Sequence, residues 1–426
     1  IDVPPTLVSF AVTTDKTKNI VSNEFKAAGH KVVIIKPEYD ENGLPIIDSI
    51  RTVFDSVTAL VRDGKALAVY TPAYGGIAEA VYKMAIGNSV GFEFDGAFSL
   101  DDIFGYCYGS FVVELADDTD AGTVVGRTID DESIVYKSEK IALSELDKIY
   151  EGKLEPIYPC NIAADGKKIE KFSYMAEKFA ASPIKIARPK VLIPVFPGTN
   201  CEYDTAKAFE DAGAQADVFV INNLSSEDIV KSVDTFAKKI NNSQVIFIPG
   251  GFSGGDEPDG SGKFITAFFR NESIKDAVSD LLDVRGGLMG GICNGFQALI
   301  KLGLVPFGKI IDMDDTCPTL TYNTIGRHQS KLVNVRVASN KSPWLSETNP
   351  GEIYTVAISH GEGRFMASDE LVKKLGENGQ IITQYVDANG NPTDDIQFNP
   401  NNSDFAIEGI CSPDGRVFGT MGHTER

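Results

Sequence analysis

The stretch Gly290-Gly291-Ile292-Cys293-Asn294-Gly295-Phe296-Gln297 holds the residues best arranged for chemistry. It reads G-x-C-x-G, with an apolar run at 288–292 before it and helical spacing at 296–302 after it. That is the cysteine version of a nucleophile elbow, a sharp strand-to-helix turn that lifts a reactive side chain clear of a sheet. Gly291 and Gly295 keep Cβ atoms out of the turn. The helix N-terminus behind Cys293 favours a thiolate, and the N–H of Asn294 is placed to meet an oxyanion. The expected chemistry is nucleophilic attack by the Cys293 sulfur. The other reading of Cys293 is a buried structural thiol. That fate is the one expected of Cys107, Cys160, Cys201, Cys317 and Cys411, which lack such a frame.

A cysteine nucleophile needs a base, and the chain has four histidines. His30 reads as a surface residue beside a helix cap. His328, in Gly326-Arg327-His328-Gln329-Ser330, reads as a loop contact. The other two both read H-x-E: His360-Gly361-Glu362 and His423-Thr424-Glu425. Each follows a strand-like run and each offers a base with a carboxylate to orient it. Spacing alone does not choose between them. The loop Gly250-Gly251-Phe252-Ser253-Gly254-Gly255-Asp256 offers backbone N–H groups at a strand end, for a second oxyanion donor or a substrate carboxylate.

These residues need elements to hold them. From residue 189 onward strands and helices alternate: strands at 191–195, 216–220, 245–248 and 288–292, helices at 201–212, 226–240 and 296–302. Further strands are expected at 353–359 and 417–421, before the two H-x-E motifs. The pattern implies an α/β fold with a parallel, flavodoxin-like sheet whose ligands sit at the strands' carboxyl ends. Residues 1–160 read as a separate α+β domain. Its strands are expected at 7–12, 31–36, 67–70, 90–94, 110–115 and 122–129, its helices at 19–28, 46–62 and 77–85. Between them, residues 161–188 are expected to be a linker, polar at first and then proline-containing and basic.

Composition narrows the partners. The 426 residues carry a net charge of −20, a field that repels nucleic acid and anionic lipid. Apolar runs are strand-sized, far short of the roughly 20 residues a membrane helix needs. Six scattered cysteines without C-x-x-C spacing fit a reducing, cytoplasmic setting. The start, Ile1-Asp2-Val3-Pro4-Pro5, has no signal-peptide pattern and no initiator Met, as expected of a processed chain or a piece of a longer one.

The motifs also carry a resemblance. Cys293-Asn294-Gly295-Phe296-Gln297 resembles the nucleophile motif of class I, triad-type glutamine amidotransferases. Residues 189–426 resemble the glutaminase domain of the phosphoribosylformylglycinamidine synthase family. Five stretches match in order: Pro197-Gly198-Thr199-Asn200-Cys201-Glu202, Gly250-Gly251-Phe252-Ser253, the Cys293 elbow, Ser359-His360-Gly361-Glu362-Gly363-Arg364-Phe365, and Gly422-His423-Thr424-Glu425-Arg426. The resemblance implies a triad of Cys293, His423 and Glu425, and glutamine as substrate. It implies oxyanion and substrate contacts at Gly250, Gly251, Phe252, Asn294, Gln297 and His360. Thr424 stands where the family has Pro, and Gly254 where an aromatic is common. Residues 1–150 are similar, through Tyr74-Gly75-Gly76-Ile77-Ala78-Glu79-Ala80, to the last quarter of that family's synthetase portion and to the C-terminal domain of aminoimidazole ribonucleotide synthetase. Thr71-Pro72 stands where that family often has His-Asp.

The implied activity is release of ammonia from glutamine for ATP-dependent amidation of formylglycinamide ribonucleotide. No cofactor or metal is expected in the glutaminase domain. ATP and Mg²⁺ are expected for the full enzyme, whose acceptor site would lie in a synthetase region outside this chain. Two other readings stay open. A different Cys-dependent hydrolase on the same sheet would carry its His soon after the Cys, where only His328 follows. A degenerate docking or regulatory module would have lost Cys, His or Glu.

Overall fold

The structure, a computed structural model, describes residues 7–160, 162–166, 168–183, 185–253 and 261–426. The chain divides into two compact units, Ile1–Tyr158 and Pro159–Arg426.

The first unit holds strands β1 (Lys31–Ile35), β2 (Ala66–Tyr70), β3 (Gly91–Phe94), β4 (Phe111–Leu115), β5 (Thr123–Ile129), β6 (Ser133–Tyr136) and β7 (Glu139–Ala142). Its helices are α1 (Ile47–Arg62), α2 (Gly76–Ile86), α3 (Leu100–Phe104) and α4 (Leu143–Gly152). One sheet runs β2-β4-β1-β5-β3-β6-β7, antiparallel throughout except between β3 and β6. Adjacent residues of β1 serve opposite faces, as a strand's period of two requires. Val32 and Ile34 pack with Ile77, Val81 and Met84 of α2, and Val33 packs with Val53 and Val57 of α1.

Three expectations fail in this unit. Residues 7–12 form no strand: Leu7 is 96% and Phe10 87% exposed, and an apolar run with no neighbouring strand has nothing to pair with. Residues 19–28 form no helix beyond a 3-10 turn at Thr17–Asn19. The N–H groups a helix would use go elsewhere, Phe25 to the Met84 carbonyl and Lys26 to the Glu114 carboxylate. His30 is not a free surface residue, since its Nδ1 lies 2.7 Å from the fully buried Glu114 carboxylate.

The second unit carries strands β8 (Lys190–Val195), β9 (Gln215–Val220), β10 (Val245–Ile248), β11 (Leu288–Ile292), β12 (Thr319–Tyr322), β13 (Gln329–Val337), β14 (Ile353–His360), β15 (Glu362–Met366), β16 (Ile381–Val386), β17 (Ile407–Cys411) and β18 (Val417–Thr420). Its helices are α5 (Glu202–Asp211), α6 (Ser226–Asn241), α7 (Lys263–Phe269), α8 (Glu272–Ser279), α9 (Asn294–Leu302), α10 (Leu304–Phe307) and α11 (Asp369–Glu377). β9, β8, β10, β11 and β18 form a parallel sheet, and β17, β16, β13 and β14 extend it antiparallel to nine strands. The α/β character expected from the sequence is present, and the antiparallel half is an addition to it.

Local chemistry explains these elements. β10 is buried at every position, so it reads as an unbroken apolar run. α6 starts at Ser225, whose hydroxyl accepts the Asp228 N–H. It carries acids in its first turn and Lys238 and Lys239 in its last, matching the helix dipole. Val233, Phe236 and Ile240, at i, i+3 and i+7, form its buried stripe. Each such side chain contributes about 1.5–3 kcal/mol by leaving water. Before β8 the chain lies on this unit. The Phe172 N–H donates to the Gln384 side chain, and Arg336 donates to the Phe172 carbonyl. Because β8, β10, β11 and β18 run parallel, the segments after them emerge at one edge. These segments hold Cys201, Gly250, Cys293 and His423. Among the described residues, no helix is long and apolar enough to cross a membrane.

Candidate active site

Cys293 joins β11 to α9 with φ 52° and ψ −108°. A residue with a Cβ rarely adopts positive φ, and such strain, of order 1–3 kcal/mol, persists only where the surroundings enforce it. They do so here by close approach. A Cβ on Gly295 would stand 2.0 Å from the Ile248 carbonyl oxygen, and one on Gly291 would stand 2.7 Å from Gly295. The Cys293 N–H donates to the Thr420 carbonyl at 2.8 Å, and its carbonyl accepts the Gln297 N–H at 3.0 Å. Its side chain is buried, with Sγ 3.9 Å from the Ser359 carbonyl oxygen.

His423 follows β18 and is pinned by its N–H to the Ala357 carbonyl at 2.8 Å. Its Nδ1 lies 2.7 Å from Glu425 Oε1, and the two side chains are 7% and 5% exposed. Thr424 between them is exposed, so the stretch turns alternate residues inward. Cys201 Sγ lies 3.9 Å from the same Nδ1. Burial works against an imidazolium at His423. The neighbouring Cys201, Cys293 and Glu425 side chains outweigh it and raise the His423 pKa far above the usual histidine value.

Two features hold the His423 segment in place. The Glu408 carboxylate accepts the Met421 and Gly422 N–H groups at 2.8 and 2.6 Å, and Thr383 donates to its other oxygen. Complete burial raises the Glu408 pKa, against the pull of these hydrogen bonds and of His423. The second feature is Gly250. A Cβ there would come within 2.6 Å of His423 Cε1 and 3.2 Å of Cys201 Sγ. Gly251, at φ 145°, packs equally closely on Gly198. Among the described residues no acceptor takes the N–H of Gly251 or of Asn294.

A chain of polar contacts runs away from the thiol. The Asn294 side chain accepts the Ser253 N–H at 3.2 Å and donates to Gln297 Oε1 at 3.0 Å. Gln297 donates to the Glu362 carbonyl, and Glu362 Oε2 accepts the Ser261 N–H at 2.8 Å. Both ends of the Gln297 amide are therefore engaged by the protein. Phe252 is 41% exposed, with its ring 6.0 Å from that of His328, whose Nε2 lies 2.9 Å from Ser359 Oγ. Gly254, Gly255 and Asp256 lie outside the described residues.

The two H-x-E motifs differ. His360 is buried, and among the described residues neither ring nitrogen has a partner. Burial, then the charges of His328 and His423, push its pKa down to about 3, so it stays neutral. Glu362 turns to Ser261 and to Lys301, 4.0 Å away, not to His360. Only the 423–425 motif pairs its histidine with its own carboxylate.

Sequence reasoning missed two residues. Cys201 was expected to be structural, yet its thiol contacts the His423 ring from 222 residues away; its place in the matched stretch Pro197–Glu202 is the one sign of this in the sequence. Glu408 did leave a signal: it is a lone carboxylate in an otherwise apolar strand, Ile407-Glu408-Gly409-Ile410-Cys411. Cys201, His423 and Glu425 also place one possible metal-ligand atom each within 4.8 Å of one another. The Arg426 guanidinium stands 3.2 Å from Cys201 Sγ, and the Nδ1–carboxylate contact is hydrogen-bond length. The cluster is better matched to protons than to a cation.

Residues 188–426 match the CobB/CobQ-like glutamine amidotransferase domain family. The phosphoribosylformylglycinamidine synthase subunit PurQ of Methanococcus maripaludis is 36% identical over 239 residues, covering 56% of this chain and 82% of that protein. The same subunit of Aquifex aeolicus is 34% identical over 239 residues, covering 56% of this chain and 90% of its own length. The solved structure of PurLQS from Thermotoga maritima aligns at 27% identity and TM-score 0.41, over 56% of this chain and 89% of that one. With the family match spanning more than half of its length and relatives above 30% identity along that same stretch, the chain belongs to the CobB/CobQ-like glutamine amidotransferases.

Proposed function

We propose that the second unit is the glutaminase of a phosphoribosylformylglycinamidine synthase, releasing ammonia from glutamine through Cys293, His423 and Glu425. The observation that carries this is the pairing of His423 with Glu425 in a buried site at the same sheet edge as Cys293. The Cys293 thiolate attacks the side-chain amide carbon of glutamine. The Asn294 and Gly251 N–H groups hold the oxyanion, a role in which one lost donor costs roughly 10²–10³ in rate. His423 gives its proton to the leaving ammonia, then takes one from the water that cleaves the thioester. Glu425 orients the imidazole and balances its charge. Gly250, Phe252, Gln297 and His360 support the pocket's walls.

The ammonia then serves ATP- and Mg²⁺-dependent amidation of formylglycinamide ribonucleotide in purine biosynthesis, in the cytoplasm. The acceptor site belongs to a synthetase portion. The first unit is proposed as that portion's last subdomain, from its resemblance through Tyr74–Ala80.

The test is a glutamine-analogue affinity label, located by mass spectrometry. Cys293 should be modified, and Cys293→Ala should take no label and release no glutamate from glutamine. Because Cys201 also touches His423, its labelling would be the most damaging result. Labelling there, or nowhere, overturns the assignment.

A further inference from the structure

A cavity of about 470 Å³ lies beside the His423–Glu425 pair, on the side lined by α5. It does not include Cys293 or Asn294, so it is separate from the proposed glutamine site. Its wall is aromatic. The rings of Phe209 and Phe247, Phe247 and Trp344, and Trp344 and Phe418 have centroids 5.1, 5.7 and 5.8 Å apart. The lining also carries polar residues, of which Thr383 and Glu408 bond to each other; three polar atoms of lining residues stand apart from these: Thr205 Oγ1, Thr420 Oγ1 and Glu425 Oε2. All three are buried, and none has a partner among the described residues. Thr205 is 1% and Thr420 4% exposed, and the Glu425 side chain 5%. Buried polar atoms in proteins are rarely left unmatched, and a mostly apolar pocket of this size with a few polar groups is the usual form of a small-molecule site.

The polar set selects the ligand. A carboxylate oxygen accepts only, and a hydroxyl accepts as readily as it donates. An ammonium group, with three donors and a positive charge, satisfies all three. The four rings suit an apolar, preferably aromatic body. We infer that this cavity binds a small primary amine with an aromatic body, its ammonium on Glu425 Oε2, Thr205 and Thr420. Glu425 Oε1 already faces His423 Nδ1. An occupant therefore shares the carboxylate that orients the imidazole, and it slows glutamine hydrolysis. That regulatory part rests on the glutaminase reading; the binding site does not.

Trp344 is the chain's only tryptophan and it lines the cavity, so binding is read directly. Phenethylamine, 2-phenylethanol and phenylacetate are titrated into the full chain while Trp344 fluorescence is followed. Phenethylamine should give a saturable change, about tenfold tighter than the alcohol because its hydrogen bonds are charge-assisted. Phenylacetate should give none. Thr205→Val should weaken amine binding severalfold, and Ala208→Phe, which fills the cavity, should abolish it. No saturable change with phenethylamine, equal binding of phenylacetate, or unaltered binding in both variants overturns the site. Saturable binding by a protein that releases no glutamate upholds the site and counts against the glutaminase reading instead. Saturable binding with an unchanged rate of hydrolysis overturns the regulatory part.

Discussion

His423 Nδ1 and the Glu425 carboxylate lie 2.7 Å apart with one residue between them in sequence. The chain turns at Thr424–Glu425 directly after His423, so this pair needs little folding to assemble and much folding to be buried. His360 and Glu362 share that spacing and do not meet. Glu362 is drawn to the Ser261 N–H, leaving His360 with neither ring nitrogen partnered among the described residues.

Replacing Glu425 by Gln should reduce kcat for glutamine hydrolysis by about 10²–10⁴-fold, the range for acid–base function. KM should change little, because the carboxylate acts through His423. Steady-state glutamate release measures both. A kcat near that of the parent would remove Glu425 from the mechanism.

Gly250→Ala would put a Cβ 2.6 Å from His423 Cε1. The ring cannot retreat without loosening its contact with Glu425. Displacement of a catalytic group by about 1 Å costs on the order of 10²-fold in rate, and that loss should appear in kcat. A kinetic comparison with the parent, alongside thermal melts to show that the fold survives, decides it.

Burial raises the Glu408 pKa, so the folded state holds that proton more tightly than the unfolded chain. The stability this proton contributes is complete below the ordinary glutamate pKa and is lost as pH rises through the folded value. Glu408→Gln mimics the protonated acid and can keep the bonds to Met421, Gly422 and Thr383. It should therefore be more stable than the parent at neutral pH, with the gap closing toward pH 4. Melting temperatures across pH 4–8 test this; a pH-independent gap would refute it.

His360 behaves in the opposite sense. Its folded pKa is pushed down to about 3 from the usual 6.5, so below that usual value the unfolded chain binds a proton that the native state refuses. Its contribution to stability is complete above pH 6.5 and falls away as pH drops toward 3, by up to about 1.4 kcal/mol per pH unit. His360→Gln should flatten the acid limb of a denaturant-midpoint profile. An unchanged slope would mean that the imidazole is already protonated in the native state.

Much of this protein is legible in the chain itself. The Cys293 elbow, the capped and amphipathic α6 and the unbroken apolar β10 follow from nearest-neighbour chemistry: glycines at a tight turn, a serine at a helix start, periodic burial. Where a segment's backbone groups find remote partners, local reading fails. Residues 19–28 have the spacing of a helix, but the Phe25 and Lys26 N–H groups bond to Met84 and Glu114. Residues 7–12 are apolar enough for a strand and have no strand beside them.

The site divides in the same way. Sequence by itself determined the reactive thiol's frame and two possible His–Glu pairs, since those are patterns within three to eight residues. Only the tertiary structure decided that Glu362 is occupied elsewhere, that Cys201 lies against the His423 ring, and that Glu408 holds the Met421–Gly422 backbone. The physical reason is the parallel sheet. It brings the ends of β8, β10, β11 and β18 to one edge, so residues separated by up to 222 positions share one buried, weakly screened space.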